Sequence, residues 1–160
     1  MSGFFLFQLF ISLQRTSSTQ PNIKIVAGYS ETPLLKKLGI KSGHRMMTMN
    51  EPTAYWDWLA PLPERVEVSE QGGKENADFI HLFVKERKIF VKEFLRHKKF
   101  LKKDGMLWVS WPKKSAKMHT DLDENTIRNF GLNNGLVDVK VCAVDETWSG
   151  LKFMFRLKDR

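Results

Sequence analysis

The chain has 160 residues, 42% of them hydrophobic and 12% aromatic, with a net charge of +8 at pH 7. That is enough for one domain with a substantial core, and it excludes global disorder. A single cysteine, Cys142, excludes an internal disulfide framework. The scattered His44, His81, His97 and His119 have no metal-ligand spacing with it, so no metal is expected.

The elements can be read in chain order. Phe4 to Ile11 is apolar but far short of the about 20 residues a membrane span needs. It lacks the basic flank and small-residue cleavage site of a signal peptide, so residues 1–25 are expected to be a non-core extension or a start-site artefact, with coding beginning at Val26. The single domain is then 26–160, with no membrane contact expected. Thr32-Pro33 opens a short helix that Gly39 closes. His44 to Met49 is a strand. Asn50-Glu51-Pro52 opens a helix through Trp58, and Pro61 and Pro63 stop it. Arg65 to Ser69 is a second strand, Gln71 to Glu75 a loop, and Asp78 to Val84 an apolar run suited to the middle of a sheet. A basic helix follows, with Phe90, Val91, Phe94, Leu95 and Leu101 on its buried face. Asp104-Gly105 reads as a turn before a strand from Met106 to Trp111. Thr120 to Asp123 resembles a capping box for a helix that stops near Gly131. Val137, Val139, Val141 and Ala143 then alternate with polar residues, as do Leu151, Phe153, Phe155 and Leu157 after the Asp145–Gly150 turn. This is the pattern of a hairpin with one dry face.

Strands alternating with helices and closed by a hairpin predict an α/β fold. The expected form is three-layer and Rossmann-like, a mostly parallel six-stranded sheet with a C-terminal antiparallel strand. This order resembles the class I methyltransferase fold with one early strand–helix unit missing, and Leu101 to Val109 looks like that fold's helix–turn–strand before a late strand. The resemblance implies S-adenosylmethionine held by a glycine-rich turn after the first strand. Here that turn is Met49 to Thr53, without glycine. Glu70 stands where an acidic residue would hold ribose hydroxyls, and Val84-Lys85-Glu86 replaces the usual polar-proline-aromatic motif. On these departures no cofactor is expected, and micromolar binding of S-adenosylmethionine is not expected either.

A second resemblance rests on Ala27 to Ser30, Thr32-Pro-Leu34, Lys36 to Lys41, Trp111 to Ser115, Thr120 to Leu122, Gly135 to Asp138 and Lys140 to Leu151. With these strings the chain from about Ala27 to Arg160 is similar to a small bacterial family with a domain of unknown function. That resemblance implies a bacterial, cytoplasmic protein and no particular activity.

Parallel α/β sheets bind ligands at the carboxyl ends of their strands. The residues expected there are Asn50, Glu51, Lys85, Trp111, Lys113, Lys114, Ser115, Asp145, Glu146, Trp148 and Ser149. The lysines and Ser115 suit an anion, helped by helix amides near Thr53. Trp111 and Trp148 suit a planar group, and Asp145 and Glu146 a hydroxyl, an amine or general-base work. The structural alternatives are that the acids only pair with Lys113 and Lys114, that each tryptophan packs on the core, that Cys142 is a buried small residue, and that Asp121 and Asp123 are helix caps.

The charge is uneven. Lys85, Arg87, Lys88, Lys92, Arg96, Lys98, Lys99, Lys102 and Lys103 stand against Glu86 and Glu93, so nine minus two leaves +7 of the total +8 in one segment. Such a stripe meets nucleic acid or an acidic protein, or else is a solvated helix face; its scarcity of aromatics favours the solvated face. The main expectation is a domain binding a small anionic or nucleotide-like ligand at the carboxyl edge. The alternatives are a protein-interaction or regulatory module using the helix within 85–103, and a methyltransferase.

Overall fold

The computed structural model describes residues 32–71 and 73–160. The expectations for residues 1–25 and for the Ala27–Ser30 string lie outside the described residues. The elements are α1 (Leu34–Leu38), β1 (Arg45–Met49), α2 (Tyr55–Leu59), β2 (Glu67–Val68), β3 (Ala77–Phe83), α3 (Arg87–Lys98), β4 (Leu101–Pro112), α4 (Glu124–Asn133), β5 (Leu136–Ala143) and β6 (Trp148–Phe155).

The six strands form one sheet in the order β2-β1-β3-β4-β6-β5. β1 pairs in parallel with β2 and β3, and β3 with β4, while β6 runs antiparallel between β4 and β5. This is the expected mostly parallel Rossmann-like sheet with its late antiparallel strand. Side chains alternate across it and fill two cores. One face carries α3 and α4, with Ile80, Leu82, Phe90, Phe94, Leu107, Val109, Ile127 and Phe153. The other carries α1 and α2, with Leu38, Met46, Tyr55, Leu59, Phe79, Phe83 and Trp108. The three layers follow from those two dry faces.

Several boundaries differ from the sequence reading. Leu101 belongs to β4 rather than to the basic helix. The β3–β4 register jumps from Ala77↔Leu101 to Phe79↔Met106, so Lys102–Gly105 bulge out instead of forming a separate turn. A Cβ on Gly105 would lie 2.9 Å from the Ala77 carbonyl oxygen, which is why glycine sits in that bulge. Gly131 does not stop α4. It lies inside the helix because a Cβ there would come within 2.1 Å of Phe153 Cε1; the chain turns instead at Gly135, with φ 85°. The cap of α4 is Asp123, whose carboxylate accepts from the Thr126 amide at 2.7 Å. Asp121 accepts from the Arg87 amide at 2.6 Å and so caps α3 from across the chain. The single dry face of the hairpin also fails locally. A register shift between Asp138 and Lys140 breaks the alternation, Val139 and Val141 are 52% and 44% exposed on β5 at the sheet edge, and Leu157 lies past the end of β6, 80% exposed. Leu95 is likewise 41% exposed, on the rim of the buried face of α3.

Between the sheet and α2 lies a closed polar relay. The Tyr55 hydroxyl meets His81 Nδ1 at 2.9 Å, and His81 Nε2 meets Ser110 Oγ at 2.7 Å, all inside the core. Desolvation pushes the His81 pKa down to about 3 and raises that of Tyr55, so the imidazole is neutral and the phenol protonated. The phenol therefore donates to Nδ1, and Nε2–H donates to the serine. All three side chains are fully buried, so this Ser-His-Tyr chain orders the core.

Candidate functional site

From β1 the chain runs outward to β2 and then returns across β1 to β3. The strand order therefore reverses between β1 and β3, and a crevice opens beyond their carboxyl ends. Asn50 sits on it, directly after Met49, the last residue of β1. Its φ is 54°, in the left-handed region that normally asks for glycine and that asparagine tolerates. Asn50 thus takes a left-handed backbone conformation directly after β1.

Two cavities meet at Asn50. One, of about 580 Å³, is lined by Asn50, Glu51, Trp56, Ser69, Glu70 and Arg96 among others. Glu70 follows β2, and its loop is braced by Ser69, whose Oγ donates to the Gln71 carbonyl at 2.8 Å and accepts the Gln71 amide at 3.2 Å. The other cavity, of about 390 Å³, is lined by Asn50, Phe83, Lys85, Glu86, Ile89 and Trp148 among others. Trp148 is buried edge-to-face against Phe83, with centroids 5.1 Å apart, and forms its wall. Lys85 is placed by its carbonyl, which accepts from Thr120 Oγ1 at 2.6 Å and the Asp121 amide at 3.3 Å.

Of the residues singled out in the sequence, the structure brings Asn50, Glu51, Lys85 and Trp148 to this crevice. Lys113, Asp145 and Trp148 also lie together at the carboxyl edge, because Pro112 pairs with Trp148 and the Lys113 amide donates to the Thr147 carbonyl at 2.8 Å. Their polar groups are spent on the hairpin. Asp145 Oδ1 accepts from the Thr147 and Trp148 amides at 2.9 and 2.7 Å, and Lys113 Nζ donates to the Asp145 carbonyl at 2.6 Å. Lys114 and Ser115 lie in a single 3-10 turn, and Glu146 is exposed beside Asp145. Ser149, opposite Trp111, belongs to the β4–β6 ladder.

Two expectations about this edge change. Trp111 packs in the α3–α4 core and Trp148 in the α1–α2 core, so the two indoles lie on opposite faces and cannot sandwich one planar group. The period-2 alternation of paired strands dictates this. The amides near Thr53 also offer no helix-terminus site, since α2 is a five-residue helix whose first amide, Tyr55, already donates to the Pro52 carbonyl at 2.9 Å. Cys142 is half-buried in β5, and burial pushes its thiol up despite the nearby Lys140, Lys37 and Lys113. No group of three or more metal-ligating side chains occurs among the described residues.

The sequence pattern singled out Glu70 but left it solvated, and it gave Ser69, Phe83 and Glu86 no part in a site. The signal that would have found all four is the carboxyl end of each strand beside the reversal, and that needs the strand order.

No family model matches the chain, and no curated protein matches it. Among solved structures it is similar to an S-adenosylmethionine-dependent methyltransferase from Aquifex aeolicus, with 16% identity, a TM-score of 0.50, and coverage of 77% of this chain and 88% of that one. It is similar to the Bacillus subtilis M1A22 tRNA methyltransferase TrmK, with 11% identity, a TM-score of 0.52, and coverage of 79% and 67%. A possible exported protein from Bordetella parapertussis matches with 10% identity, a TM-score of 0.56, and coverage of 75% and 65%. At these identities the likeness establishes the fold: a Rossmann-like sheet of the class I methyltransferase type. No described helix is long and apolar enough to cross a membrane.

Proposed function

We propose that the crevice around Asn50 binds a nucleotide-like small molecule, and that S-adenosylmethionine is the member of that class it suits best. The observation carrying this reading is the left-handed Asn50 at the strand reversal, with a cavity on either side of it. The departure that counted against the cofactor in the sequence was the missing glycine. The left-handed Asn50 gives that turn a backbone conformation of the kind glycine adopts, which supports the reading although a side chain remains there. Glu70 is the group that would accept hydrogen bonds from ribose hydroxyls, and Lys85 the cation nearest the second cavity. When bound, the cofactor would supply an electrophilic methyl group to a nucleophile. The protein's own part is to hold the ligand across Asn50 and to shield one side with Phe83 and Trp148. The fold shared with methyltransferases supports this reading without identifying a substrate.

Calorimetry with S-adenosylmethionine and S-adenosylhomocysteine tests it. The expected result is a saturable isotherm with Kd below about 100 μM, weakened about tenfold by Glu70→Gln, which is about 1.4 kcal/mol. Asn50→Gly should bind at least as well as the parent, and Asn50→Val worse, because a β-branched residue is strained at that φ. Absence of binding by the parent at about 1 mM ligand, near −4 kcal/mol, would overturn the cofactor reading.

A further inference from the structure

α3 spans the molecule from the carboxyl edge to the amino edge of the sheet, about 18 Å for its 12 residues. Lys88, Lys92, Arg96 and Lys99 follow one another at spacings of four, four and three residues, so they form one stripe, and all four are exposed. The acid inside the stripe is already shared: Glu93 lies 3.9 Å from Lys92, 3.4 Å from Arg96 and 3.4 Å from His97. Lys88 and Lys99 have no ion-pair partner among the described residues. Ile89 and Leu95, 38% and 41% exposed, flank the cations.

At its far end the stripe runs into a cavity of about 800 Å³ that shares no lining residue with the two cavities at Asn50. Leu95, Phe100 and Phe155 contribute its apolar lining, and Lys74, Lys98, Lys99 and Lys103 ring it against a single acid, Glu75. Lys103 Nζ stands 4.4 Å from the centre of the Phe155 ring. Phe100 follows the end of α3 and Phe155 comes from the end of β6, so the aromatic lining is not part of the charged helix face itself.

We propose that the exposed face of α3 and the cavity at its C-terminal end form a docking surface for single-stranded RNA. Cations recurring about every 6 Å along a helix match a row of phosphates in an extended strand. The cavity, apolar within and cationic at its rim, takes an unstacked base while its phosphate stays among the lysines. Duplex DNA fits poorly, because its bases remain stacked and cannot enter a cavity. RNA loops and ends present bases splayed out. An acidic peptide would use the stripe and leave the apolar cavity unfilled. A flat anionic bilayer would not reach into a recess, and Ile89 and Leu95 alone give it little to hold.

The test is fluorescence anisotropy of a labelled 12-mer oligouridine with the full chain, over about 50–200 mM salt. The expected result is saturable binding with a salt slope of about −0.7 per phosphate engaged. The triple variant Lys88→Gln/Lys92→Gln/Lys99→Gln should weaken binding at least tenfold and reduce that slope by about 2. Phe100→Leu should weaken it about fivefold or more with the slope unchanged, since base stacking is independent of salt. Thermal melts keep a folding defect apart from a binding defect. An unaltered triple variant would overturn the proposal. So would duplex DNA bound as tightly as the strand, or polyglutamate or phosphatidylglycerol vesicles displacing the strand at equal charge concentration. Arg96 and Ile89 also line the cavities at Asn50, so they are left unchanged; the three substituted lysines and Phe100 line neither, so loss of RNA binding in these variants is read separately from cofactor binding.

Discussion

Gly131→Ala sets helix propensity against packing. In an ordinary helix interior alanine is more favourable than glycine by about 1 kcal/mol, so the sequence alone predicts a stabilised α4. The structure predicts the opposite sign. An added Cβ would sit 2.1 Å from Phe153 Cε1 and 2.7 Å from Cδ1 and Cζ, far inside contact distance. Phe153 has no free space to swing into. It is fully buried, packs edge-to-face on Phe94 at 5.5 Å, and is held by backbone pairing to Leu107 on one side and Asp138 on the other. Either α4 lifts off the sheet or the ring leaves its rotamer. Overpacking of this kind costs about 3 kcal/mol or slightly more, which leaves a net loss of about 2 kcal/mol after the propensity gain. For a chain of this size that lowers Tm by roughly 4–8 °C. Scanning calorimetry with urea titration at constant m-value measures it. In a Phe153→Leu background the alanine should cost at least about 1 kcal/mol less, giving a clear coupling energy in the double-mutant cycle. A Gly131→Ala protein that melts at or above the parent would refute the packing argument.

Acid should weaken the fold through His81. The unfolded imidazole takes its proton near pH 6.5, whereas the buried one resists until about 3. Its contribution is therefore complete above pH 6.5 and is lost as the pH falls toward 3, at about 1.4 kcal/mol per pH unit. His44 and His97 are shifted in the same direction, both mainly by desolvation, and add to the slope. Urea melts of the parent and of His81→Gln between pH 6.5 and 5 should show a flatter slope in the variant; a parent with no slope there would refute the assignment. Asp145→Ala removes the acceptor for the Thr147 and Trp148 amides and should cost about 1–2 kcal/mol in thermal melts, with Asp145→Asn recovering most of it. A wild-type Tm for Asp145→Ala would mean that the turn does not depend on that carboxylate.

Some features of this protein were determined by the sequence alone. The alternation of apolar runs with helical patterns specified an α/β sheet closed by an antiparallel strand. The apolar run over 78–84 marked a strand that forms where expected, and the helices signalled by Thr32-Pro33 and by Thr120 to Asp123 form with later starts, capped at Pro33 and Asp123 rather than at the threonines, because such start signals are local but imprecise by a few residues. Asn50, Glu51, Lys85 and Trp148 were legible as edge residues from strand ends alone. The rest was decided by tertiary structure, since it depends on which strands are neighbours and which way each side chain faces. Gly131 reads locally as a helix stop, and only the Phe153 ring across the interface makes it an interior residue. Trp111 and Trp148 read as partners, yet the pleat sends them to opposite faces. Asp145 reads as a ligand or general-base group or as a lysine partner, but its carboxylate accepts from its own turn amides. The left-handed bend at Asn50 carries no local requirement for asparagine. Whether it lies on a crevice depends on the chain crossing back over β1 to lay down β3, a long-range pairing that residue-by-residue propensities do not encode.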